Sequence, residues 1–150
     1  MNWTKQLATL FGIGRLPYAP GTAASLVAAL AAWPIATAFG HWVLLGFGLA
    51  VGLVAIPIAD AYARECGRGD PSECVIDELA GQWIALAFAP PSLFGFALAF
   101  ALFRYLDIRK LWPVSEVEKL KGGLGIVADD VVAGLIAGLI VLIFVSAGYL

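Results

Sequence analysis

The stretch LAGQWIALAFAPPSLFGFALAFALFRYL, residues 79–106, decides the fold. It is apolar throughout, yet Pro90, Pro91 and Ser92 stand in its middle. Two prolines withhold backbone donors and a serine suits a helix N-cap, so the run reads as two helices joined by a tight turn. Upstream, Asp70-Pro71-Ser72-Glu73 has the form of a helix start, with Asp at the N-cap, Pro at the first helical position and an acid at the third. The hairpin is therefore expected to run from about Pro71 to Ala89 and to return from Ser92 to about Ile108.

The rest of the chain agrees with a membrane setting. Of its 150 residues 61% are hydrophobic and 13% charged, with a mean hydropathy of +0.91, well above the range of soluble domains. A crossing of roughly 30 Å of hydrocarbon takes about 20 helical residues. Runs of that order occur at Ala23–Phe39, Trp42–Ala61 and Ile126–Tyr149. With the hairpin they make an all-α integral membrane bundle of about five helices in a single domain, residues 1–150. Basic residues in short loops favour the cytoplasm. Lys5 and Arg15, then Arg64 and Arg68, then the loop holding Arg104, Arg109, Lys110, Lys119 and Lys121 all fall on one side if the hairpin crosses twice. The C-terminus then lies outside.

Several classes drop out. A net charge of -2 without a basic run gives nucleic acid no electrostatic footing. Residues 1–20 lack an apolar core followed by a small-residue cleavage site, and are expected to be retained. Cys66 and Cys74 have no second pair to complete a metal site and read as ordinary thiols. Pro34 and Pro57 mark helix kinks. Gly48 and Gly52, and Gly134 and Gly138, have the spacing that lets membrane helices approach closely. Packing within the monomer is the expected use; an oligomer through these faces is possible but is not predicted.

Four acids do not suit an apolar bundle. Asp77 and Glu78 directly precede an apolar run, Asp129 and Asp130 lie near the start of the last helix, and a carboxylate in hydrocarbon costs about 3 kcal/mol or more. A single acid there is explained by the helix dipole; two adjacent pairs on one membrane face point to a cation that neutralises them. All-oxygen ligands suit Mg2+, Mn2+ or Ca2+. Glu73, four residues before Asp77, shares its helical face and is a further candidate, although capping alone explains it. Asp60 and Glu65 read as interfacial charges.

Opposite charge comes from Arg104, Arg109 and Lys110, of which Arg104 and Lys110 are spaced by threes with Asp107 between them on one helical side. Interfacial snorkelling is the plain alternative for these bases. Two glycine-bearing loops, Gly12 to Ser25 and Gly122 to Gly125, each feed a helix N-terminus, where free N–H groups receive an anion.

Four ordered blocks together resemble the phosphatidylglycerophosphatase A family. They are Gly14 to Ser25 with Pro-x-x-Pro-Gly-Thr, Asp70 to Gly81 with Val-Ile-Asp-Glu-Leu-Ala-Gly, Arg104 to Pro113 with Arg-x-x-Asp-x-x-Lys-x-x-Pro, and Gly122 to Gly134 with Gly-Gly-x-Gly-Ile-x-x-Asp-Asp-x-x-Ala-Gly. Ala24 and Leu111 depart from the family pattern without removing a polar group. The resemblance implies a bacterial inner-membrane enzyme with its active site on the cytoplasmic side, Mg2+ as cofactor, and phosphatidylglycerophosphate as substrate, hydrolysed to phosphatidylglycerol and inorganic phosphate.

The residue inventory narrows the chemistry. The one histidine, His41, falls on the expected outer side, and neither cysteine is followed by the Cys-x5-Arg spacing, so phosphohistidine and thiolate routes fail. No Asp-x-Asp pair supports an aspartyl-phosphate. Metal-assisted hydrolysis remains, with Asp77, Asp129 and Asp130 as expected ligands and Glu78 as ligand or general base. Gly21, Thr22, Ser25, Arg104, Asp107, Lys110 and Gly123 form the expected substrate-binding set. Asp60-Ala-Tyr-Ala-Arg64 is one residue short of the CDP-alcohol phosphotransferase motif, whose second half is missing. The non-enzymatic alternative is a small cation transporter or channel with an acidic site.

Overall fold

A computed structural model describes residues 2–150. Among the described residues it has no strand; its helices are α1 (Trp3–Ala8), a short 3-10 turn (Ile13–Arg15), α2 (Pro20–Phe39), α3 (His41–Cys66), α4 (Ile76–Leu86), α5 (Leu93–Arg109), α6 (Val114–Val117) and α7 (Gly123–Ser146). The all-helical fold is the one expected. Three helices, α2, α3 and α7, are long and apolar enough to cross a membrane.

The hairpin turns where the prolines stand. α4 ends at Leu86, α5 begins at Leu93, and the Ser92 hydroxyl accepts from the Gly95 N–H as its N-cap. The first arm differs from expectation. α4 starts at Ile76, not near Pro71, and at 11 residues is about 16 Å long at about 1.5 Å per residue, too short to cross unaided. The reason lies in the 70–75 segment. Arg68 holds Glu73 at 2.8 Å, and the Val75 N–H is donated to the Ala8 carbonyl at 2.8 Å, so the chain is tied down before it can turn helical. Glu73 is consequently engaged with Arg68, and that bond holds its carboxyl below the ordinary range.

The short helix is the centre of the bundle. α4 packs against α2, α3, α5 and α7, and eight of its eleven residues are buried, so neighbouring helices rather than lipid surround it. Close approach depends on the paired glycines. A Cβ at Gly48 would lie 3.0 Å from Ile84 of α4, and one at Gly134 would lie 3.0 and 3.1 Å from the Gly81 backbone carbon atoms. The small-residue stripes thus serve packing within the chain. Pro34 and Pro57 lie inside otherwise continuous helices.

Charge is partitioned along the bundle. α2, α4 and α7 start, and α3 and α5 end, at the same end of the molecule. Every Lys, Arg, Asp and Glu of the chain lies in these termini or in α1, the Ile13–Arg15 turn and the 67–75 and 110–122 segments beside them. The opposite end carries His41, Pro90 and Pro91 around a separate cavity.

Candidate active site

At the charged end, four segments converge on a cavity of about 400 Å3. The first turn of α4 supplies Asp77 and Glu78, the second turn of α7 supplies Asp129 and Asp130, the end of α5 supplies Arg104, Asp107 and the following Lys110, and the start of α2 supplies Gly21 and Thr22. The N-terminal dipole accounts for acids in a first turn, but its effect is spent by the second. Asp129 and Asp130 therefore need another partner.

The glycine crossing sets the spacing. Asp77 precedes Gly81 by one turn on α4, and Asp130 precedes Gly134 by one turn on α7, so the two carboxylates face each other across the narrowest part of the bundle. One carboxylate oxygen from each of Asp77, Glu78 and Asp130 lies within 4.8 Å of the others. A pair of like charges at 4.8 Å repels by about 3.5 kcal/mol at an effective dielectric of about 20.

Available positive charge is committed elsewhere. Arg104 bonds to Asp107, and its Nη1 is 4.0 Å from Glu78 Oε1. Lys110 Nζ sits 2.5 Å from Asp129 Oδ2 and 2.9 Å from Glu118 Oε1. Partial burial opposes the charge on Lys110, but these two carboxylates outweigh it and hold its pKa above the ordinary value. The cavity lining includes six carboxylates, those of Asp70, Asp77, Glu78, Asp107, Asp129 and Asp130, against the two cations. Glu78 Oε2, Asp130 Oδ2 and Arg104 Nε are buried without a protein partner.

These features fit a hard divalent cation. The donor set is oxygen only, two of its buried oxygens lack any hydrogen bond, and an excess of negative charge awaits neutralisation. Asp129 stands apart from the close trio, its carboxylate taken by Lys110.

The start of α2 brings backbone donors to the same cavity. Pro20 occupies the first position of α2, and the first intrahelical bond from this end runs from Ala23 to Ala19, which leaves the Gly21 and Thr22 N–H groups free of the helix. A Cβ at Gly21 would collide with Glu78 Oε1 and lie 3.2 Å from Arg104 Nη2, so a side chain there would displace these two cavity groups.

Two expected substrate contacts fall outside the cavity. Ser25 is fully buried one turn below Gly21, its hydroxyl unpartnered. Gly123 gives its N–H to Asp60 Oδ1 at 3.1 Å, and a Cβ there would meet the α3 backbone. Asp60, read from sequence as an interfacial charge, thus caps α7 from a neighbouring helix and also bonds to Arg64. Gln82 was missed as well. It is fully buried one turn beyond Glu78, with both amide atoms unpartnered; an amide inside an apolar run was the available signal. Asp70, Ser72 and Cys74 also line the cavity. Both cysteines are free thiols.

The family model described as Phosphatidylglycerophosphatase A matches residues 6–145. Phosphatidylglycerophosphatase A of Escherichia coli is 37% identical over 134 residues, covering 87% of this chain and 77% of its own. The protein of that name from Haemophilus influenzae is 35% identical over 143 residues, 94% of this chain and 88% of its own. A Bacteroides thetaiotaomicron protein, named provisionally as a phosphatidylinositol-3-phosphatase, is 37% identical over 136 residues, 86% and 85% of the two chains. No solved structure gives a significant match.

Proposed function

The chain belongs to the phosphatidylglycerophosphatase A family, and from that premise we propose that it removes the terminal phosphate of phosphatidylglycerophosphate at the cytoplasmic face of a bacterial inner membrane, with Mg2+ held by Asp77, Glu78 and Asp130. The observation that carries the metal assignment is the convergence of those three carboxylates within 4.8 Å, two of their oxygens buried and unpartnered. Sidedness rests on all nine Lys and Arg residues lying at the site-bearing end.

A phosphate dianion approaching six carboxylates would be repelled; the cation, when bound, supplies the compensating charge and polarises the phosphate oxygens. Arg104 and the Gly21 and Thr22 N–H groups bind the remaining oxygens. Glu78 accepts the proton of the attacking water through the carboxylate oxygen that does not hold the cation. The water oxygen bonds to phosphorus as the bond to the glycerol oxygen breaks, and that oxygen leaves with a proton from solvent. Asp129, expected among the ligands, holds Lys110 at the cavity in this structure.

The named Bacteroides relative suggests a second substrate, a phosphomonoester on an inositol lipid. Incubating the purified protein with each lipid, with Mg2+ or EDTA, and measuring inorganic phosphate tests both readings. Mg2+-dependent release from phosphatidylglycerophosphate is expected, with slower release from the inositol lipid. A faster rate on the inositol lipid reassigns the substrate, and no release from either refutes the proposal. Cation flux without phosphate release would revive the transporter alternative.

A further inference from the structure

An apolar groove of about 280 Å3 runs between α2 and α5, lined by Leu26, Leu30 and Trp33 on one side and Leu93, Phe96 and Phe100 on the other, with Ala29 and Ala97 between. Both helices also build the active-site cavity. Leu26 lies one turn from Thr22, and Phe100 one turn from Arg104, so the groove continues along the same two helices that place Thr22 and Arg104 at the cavity. At its far end Trp33 and Phe96 meet edge to face, with centroids 5.1 Å apart. Leu26, Leu30 and Leu93 are exposed, as a surface facing lipid requires.

We propose that this groove receives an acyl chain of the phospholipid substrate, so that the lipid enters sideways from the bilayer between α2 and α5 with its phosphate leading into the cavity. The inference rests on the phosphatase reading above. An amphiphile must leave its chains in an apolar setting while its phosphate reaches Arg104, and a groove on the two helices that also line the cavity allows both at once. From Thr22 to Trp33 is eleven residues, about 16 Å of helix, enough to hold much of one chain. A second apolar groove, between α3 and α7, does not serve, because no residue of α3 lines the cavity.

The test compares dioleoyl and dihexanoyl phosphatidylglycerophosphate on wild type, Ala29→Trp, Ala97→Trp and, as a control in the other groove, Leu53→Trp. Filling the α2–α5 groove is expected to lower kcat/KM for the dioleoyl lipid at least tenfold while leaving the dihexanoyl lipid within about twofold; Leu53→Trp changes neither. Equal losses on both lipids, or no loss, overturn the proposal. A wild-type readout stands beside it: a substrate with a photoreactive acyl chain should label residues 26–33 and 93–100, competed by unlabelled substrate. Preferential labelling of residues 49–56 or 124–131 overturns it too. Wild type inactive on both lipids would instead sink the phosphatase reading itself.

Discussion

Replacing Gly134 by alanine adds one methyl at the point where α7 crosses α4. The new Cβ would stand 3.0 and 3.1 Å from the Gly81 backbone carbon atoms and nearer still to the Gly81 oxygen. Those atoms are backbone, and Gly81 is itself hemmed by the Asp130 carbonyl and the Phe103 ring, so no side chain can swing aside. Ordinary contact needs about 3.4 Å or more, so the helices must part by about 1 Å, at a cost of about 1–3 kcal/mol for overpacking. The same wedge separates Asp77 from Asp130 one turn away. Mg2+ demands oxygens at about 2.0–2.1 Å in near-octahedral array, so the metal site absorbs much of that strain. Converted at about 1.4 kcal/mol per decade, Gly134→Ala is expected to raise the Mg2+ concentration for half-maximal activity roughly 5- to 150-fold. Gly52→Ala is the matched control, because its Cβ meets Val131 at 3.4 Å and Ala80 at 3.7 Å, ordinary contact. Mg2+ titrations of phosphate release and thermal melts of both variants provide the assay. If the two behave alike, the claim that the glycine crossing sets the metal site is wrong.

Two further outcomes follow from residues around the cavity. Asp60→Ala removes the carboxylate that receives the Gly123 N–H, and should destabilise the protein by about 1 kcal/mol, as loss of a helix cap does, with the Mg2+ half-saturation unchanged; a melt identical to wild type would show that the cap is idle. Burial pushes the Cys74 thiol up to about 12, so it stays protonated at pH 8 and only its minor thiolate can react. A maleimide should therefore label the more exposed Cys66 ahead of the buried Cys74 at pH 8; peptide mapping that finds Cys74 labelled first contradicts its burial.

The helical class, the hairpin turn at Pro90-Pro91 and the Asp and Glu pairs were legible because each is a local signal: missing donors, apolar run length, charge where charge is costly. The start of α4 was not. Asp70-Pro71-Ser72-Glu73 satisfies the local rules for a cap, and the Arg68–Glu73 pair together with the tertiary bond from Val75 to Ala8 overrides it. Gly123 and Asp60 show the same limit, since a donor free by position along its helix is consumed by a carboxylate 63 residues away. The division among the acids was also hidden. Asp129 and Asp130 are adjacent in sequence, yet a helical step of about 100° turns one toward Lys110 and the other toward Asp77 and Glu78.

On the reading proposed above, Asp77, Glu78 and Asp130 hold a divalent cation before any substrate arrives. Mn2+ binding to the purified protein without lipid, followed by electron paramagnetic resonance, tests this directly. Wild type should bind Mn2+ competitively with Mg2+; Asp130→Asn should weaken binding at least 100-fold, while Asp129→Asn, whose carboxylate is engaged by Lys110, should weaken it far less. Mn2+ binding unaltered by Asp130→Asn would contradict the account.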